Sequence, residues 1–134
     1  LGTGDAEALV RHTIFTADDS PAIYCINTLP LSVVPRPLAE QIVEAPQLSE
    51  PLYEFLEQEC GQRVAYHAAS LWPALTRDCS LLEPIGHALS PVLVIDEVGF
   101  NGSAEPVLHS REVYPDALMR FELIRRRGRS VDCV

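Results

Sequence analysis

The residues with the clearest chemical potential lie in one short stretch, PVLHSREVY, at positions 106–114. If it is a strand, alternation sets Leu108, Ser110, Glu112 and Tyr114 on one face and Val107, His109, Arg111 and Val113 on the other. A hydroxyl, a carboxylate and a phenol in line supply hydrogen-bond donors and acceptors suited to holding a small polar molecule. Neither face is a clean apolar stripe. The segment therefore reads as a poor core strand, whose polar groups need partners from water, protein or a ligand.

No reaction pattern accompanies it. The chain has no GxSxG serine and no closely spaced carboxylate pair. Its four cysteines, Cys25, Cys60, Cys79 and Cys133, form no CxxC pair, and its four histidines, His12, His67, His87 and His109, show no HExxH spacing. Neither a metal site nor another cofactor is expected, and the thiols read as reduced. His67 and His109 read as structural histidines, Cys25 as a small buried hydrophobe, and Tyr66 and Trp72 as packing residues.

A net charge of −9 argues against the segment gripping a phosphate backbone, because that affinity comes from lysine and arginine displacing counterions. The basic cluster Arg125, Arg126, Arg127 and Arg129 reads as a solvated strand end. No apolar run reaches the ~20 residues that a bilayer-crossing helix needs, and LGTGDAEALV at the start lacks the features of a secretory signal. A soluble, cytoplasmic protein without membrane contact is expected.

Several elements must position the 106–114 face. Residues 7–16 and 22–29 are rich in β-branched and apolar types, with DDSP between them, and predict a hairpin. A short helix fits between Pro37 and Pro46. LSEPLYEFLEQECG predicts a helix capped by Ser49, with Pro51 in its first turn and Gly61 as its stop. Residues 63–71 read as a strand, and TRDCSLLEPIG as a short helix opened by Thr76 or Asp78. PVLVIDEVGF, PVLHSREVY and LMRFELIRRR then predict an antiparallel meander. With no repeat or long linker, residues 1–134 form a single α+β domain: a mostly antiparallel sheet with helices on one face.

These motifs, in this order, resemble the UTRA domain, the effector-binding module of HutC-type regulators in the GntR superfamily. Residues 91–127 resemble its C-terminal signature, with Ser110 and Tyr114 at the S-x-x-x-Y positions and Arg120–Phe121 opening its last strand. DDSPAIYCINTLP and LSEPLYEFLEQECGQRV resemble its earlier strand and helix. The resemblance implies a chorismate lyase-like fold, a homodimer and a small-molecule metabolite effector. It also implies DNA binding only through an N-terminal winged-helix domain not found in this sequence.

Mapped onto this sequence, the resemblance implies ligand-binding roles for Arg11, Thr13, Cys25, Leu108, Ser110, Glu112 and Tyr114. Leu108 and Cys25 stand where sugar-phosphate binders of the family carry glutamates, which implies a less polar effector, a carboxylate anchored by Arg11 or Arg111. Glu112 is expected to pair with Arg11, Arg111 or Arg120. The competing reading is a chorismate lyase-like enzyme on the same fold; the sensor, a non-enzyme, is preferred for want of a catalytic site.

Overall fold

The structure is a computed structural model that describes residues 7–44, 51–79, 90–115 and 120–122. Strand β1 (Ala8–Ala17) and strand β2 (Ser20–Pro30) form the expected hairpin. Asp18 and Asp19 turn it with φ of 50° and 61°, the paired left-handed conformation of a two-residue turn that matches strand twist. Helix α1 (Arg36–Glu44) follows, then helix α2 (Leu52–Gln58). Pro51 occupies the N-cap position of α2 without a side-chain cap; Ser49 lies outside the described residues. Gly61 ends the turn after α2 at φ 64°, a conformation glycine adopts at little cost.

Strand β3 (Tyr66–Leu75) starts three residues later than the pattern predicts and runs through Pro73, which an edge strand tolerates because its outward N–H needs no partner. A single 3₁₀ turn follows at Thr76–Asp78, and the rest of TRDCSLLEPIG falls outside the described residues. Strand β4 (Pro91–Phe100) and strand β5 (Pro106–Tyr114) are joined by the expected turn. There Asn101 Oδ1 accepts the N–H groups of Ser103 and Glu105, each at 3.0 Å. Of LMRFELIRRR, only Arg120–Glu122 are described and they are not in a strand; the arginines at 125–129 and Cys133 lie outside the described residues.

Among the described residues all pairings are antiparallel, and the sheet order is β1-β2-β5-β4-β3. The α+β class and mostly antiparallel sheet are as expected. The standing of β5 is not: the strand expected to be a poor core strand is the central one, with Val107, Leu108, Ser110, Val113 and Tyr114 all buried. Ser110, His109 and Arg111 find partners on neighbouring strands, and Tyr114 bonds Glu112 of its own strand.

One apolar cluster lies between the sheet and the helices. Phe55 and Leu56 of α2 pack with Val34, Leu29 and Leu108, joined by Leu38, Ala39 and Ile42 of α1. Among the described residues this layer covers only one end of that sheet face. On the opposite face Tyr24, Val92, Val94 and Val113 form a second cluster with Ala74 and Cys79 against it. Tyr66 and Trp72 do not join either core: they stand on edge strand β3 and are exposed, Tyr66 stacking on Phe100 with ring centroids 5.1 Å apart.

Candidate functional site

Beyond the helix-covered end, register carries two rows of side chains across the whole sheet. The first row is Arg11, Asn27, Ser110, Glu97 and Ala69, from β1 through β2, β5 and β4 to β3. The second is Thr13, Cys25, Glu112, Ile95 and Leu71. Alternation puts both rows on the face that the helices partly cover. Tyr114, two residues beyond Glu112, continues that face away from the helices.

Arg11, Thr13, Cys25, Ser110, Glu112 and Tyr114 are thus brought onto one surface from three strands. Leu108 shares the face but is fully buried beneath α2, in the helix–sheet core. It borders the site as packing rather than as an open wall. Arg111 projects from the opposite face, where its guanidinium donates to Asp96 Oδ2, while His109 bonds the other oxygen of the same carboxylate. Of the two arginines expected to anchor a ligand, only Arg11 is on this face.

The polar groups are tied to one another. Ser110 Oγ donates to Asn27 Oδ1, and Asn27 Nδ2 reaches Cys25 Sγ at 3.2 Å. Tyr114 donates its hydroxyl to Glu112, so the partner of that carboxylate is the phenol rather than an expected arginine. Ser110 is 3% exposed and Tyr114 8%, so neither is a wet edge residue. Arg11, Thr13, Glu97 and Glu112 remain half-buried.

Aromatic side chains bound the two ends. Phe121 meets the Tyr114 ring edge-on, with centroids 4.7 Å apart. At the helical end Tyr53 of α2 bonds His67 Nε2 at 3.1 Å, and His67 lies 3.9 Å from Glu97. Gly99 makes room for this contact: a Cβ there would stand 3.1 Å from Val64 and 3.3 Å from His67 Nε2.

Burial pushes the Cys25 thiol up to about 11, helped by Glu112 and Glu97 and opposed by the Asn27 hydrogen bond and Arg11. The Tyr114 phenol is raised by burial, then by its bond to Glu112. Tyr53 is raised by burial and by Glu97 and Glu112. Cys25 is therefore a protonated, hydrogen-bonding thiol at neutral pH rather than a nucleophile.

The pattern did not single out Asn27, Glu97, Tyr53 or Phe121 for this site. Asn27 was accessible in principle, two residues from Cys25 and so on its face. Cavities lined by described residues lie elsewhere. One of about 210 Å³ is on the opposite face, lined by Trp72, Ile26, Val94 and Arg111 among others; one of about 420 Å³ separates the start of β1 from α1. Among the described residues no group of three or more His, Cys, Asp or Glu is placed to hold a metal ion. No helix among them is long and apolar enough to cross a membrane.

The fold is similar to several solved effector domains. The ligand-binding domain of a GntR-family transcriptional regulator from Bordetella bronchiseptica superposes with a TM-score of 0.73 at 17% identity, covering 91% of this chain and 75% of that one. The effector-binding domain of the B. subtilis trehalose repressor gives 0.68 at 17% identity, covering 96% and 85%. The effector domain of PhnF from Mycobacterium smegmatis gives 0.73 at 16%, covering 90% and 70%. Among curated proteins none matches. Residues 2–120 match the UTRA domain as a family. With nearly its whole length so matched, the chain belongs to the UTRA domain family.

Proposed function

We propose that this chain is the small-molecule effector-binding domain of a GntR-type transcriptional regulator, of the HutC kind, and that its ligand binds on the two cross-strand rows. The observation that carries this reading is the buried Ser110–Asn27–Cys25 bonding and the part-buried Tyr114–Glu112 bond on a sheet face that, among the described residues, the helices leave partly uncovered. Arg11, Thr13, Cys25, Ser110, Glu112 and Tyr114 contact the ligand, with Leu108 supporting them from the core. Binding changes operator affinity through a DNA-binding domain elsewhere in the regulator, in the cytoplasm, which requires the ligand to favour one arrangement of the protein over another.

The regulator acts as a homodimer in this reading. Support comes from the sheet edges, where Val10, Ile14 and Phe15 on β1 and Leu71 and Trp72 on β3 are exposed apolar residues of the kind association covers. The lyase alternative draws less support, since the thiol and the phenol on the face are both raised in pKa and bonded within the protein.

A metabolite screen by thermal shift tests the site. Ligands that raise the melting temperature of the chain should lose that effect in Thr13→Trp and Ser110→Leu, which fill the rows. Hits that stabilise these variants as well as the parent would place the binding site elsewhere.

A further inference from the structure

Glu97 and Glu112 stand on neighbouring strands and on one sheet face. Glu97 is opposite Ser110, and Ile95 opposite Glu112, so the two acids are diagonal neighbours roughly 7 Å apart at Cβ. On the same face Arg11, on β1, is three strand spacings or roughly 14 Å of backbone from Glu97, and the His67 ring lies 3.9 Å from that carboxylate. Tyr114 donates to Glu112, and Tyr53 bonds His67, itself 3.9 Å from Glu97, so the two phenols border the pair of acids.

We infer that the effector carries a positive charge, an ammonium, amidinium or imidazolium group seated between Glu97 and Glu112 and faced by the rings of Tyr53 and Tyr114. That this face binds the effector rests on the proposed function; the sign of the ligand's charge is what is added. A half-buried carboxylate attracts a cation more strongly than an exposed one, because less water screens it. Aromatic faces add to that attraction. An anionic group in the same place would meet two like charges. A carboxylate placed between the two acids is therefore disfavoured: Arg111 is behind the sheet, and Arg11 is on β1, two strand spacings from Glu112.

Three molecules of similar size test this on the full chain: 2-phenylethylamine, 2-phenylethanol and phenylacetate, followed by amide chemical shifts. The amine should bind most tightly, with shifts on the two rows. Glu97→Gln and Glu112→Gln should each weaken it about tenfold or more and weaken the alcohol by much less. Added salt should weaken the amine on the parent chain, a readout independent of how the variants fold. Tighter binding of phenylacetate on the same rows, or no amine binding at millimolar concentration, would overturn the charge assignment and leave the site standing. Amine shifts confined to other surfaces would overturn both.

Discussion

Ser110 and Asn27 face each other across the seam between β5 and β2, and the serine hydroxyl donates to the side-chain carbonyl of its own register partner while both are buried. This bond lets a strand of mixed polarity occupy the middle of the sheet. Removing one partner leaves the other desolvated and short of a hydrogen bond. Ser110→Ala should therefore lower stability by about 1–3 kcal/mol. Ser110→Ala combined with Asn27→Val, which removes both polar groups, should recover part of that loss, as read from urea unfolding midpoints.

Asp96 gives the opposite face a pH dependence. Burial raises its pKa, but hydrogen bonds from Arg111 and His109 outweigh that and hold it below the ordinary 3.8. A depressed carboxyl stabilises the fold above its unfolded value, and that contribution is lost as pH falls through the folded value. Stability should decline on acidification below about pH 4. Asp96→Asn should be less stable at neutral pH and lose less on acidification, measured as melting temperature against pH.

Cys25 sets an alkaline limit. With its thiol raised from 9.0 to about 11, the protonated form contributes stability that is fully present below pH 9 and lost as pH rises towards 11. Near pH 8, iodoacetamide should modify Cys25 at least about 100-fold more slowly in the native chain than in urea, because both the thiolate fraction and access are reduced. Peptide mass spectrometry of timed samples gives the two rates.

Gly61 tests the end of α2. Its φ of 64° is unfavourable for any residue with a Cβ, yet a Cβ there would meet nothing within 4 Å. Gly61→Ala should cost about 1 kcal/mol, a purely backbone effect. Ala104, at φ 60° in the β4–β5 turn, is the converse case, and Ala104→Gly should be neutral or stabilising in the same denaturation assay.

Much of this was legible locally. DDSP between two β-branched runs specified the first hairpin, Gly61 the end of α2, and alternation the shared face of Ser110, Glu112 and Tyr114. Alternation says which face a residue occupies but not which strand lies beside it. The pairing of β2 with β5, made over long sequence separation, was therefore hidden, and with it the Ser110–Asn27 bond. Glu97 was obscured because PVLVIDEVGF reads as an apolar strand, and alternation alone does not say which of its adjacent acids, Asp96 or Glu97, shares a face with Ser110. Tyr66 and Trp72 were read as core from their size, although edge strand β3 leaves them outside.

Arg11 and Thr13 sit on the outermost strand, and their rows run unbroken to the opposite border. A guest resting mid-sheet therefore touches a ribbon whose hem is also its outer rim. On the proposed reading, the shortest path from a bound ligand to a partner at either border runs sideways along the pleats rather than through the greasy layer beneath the helices.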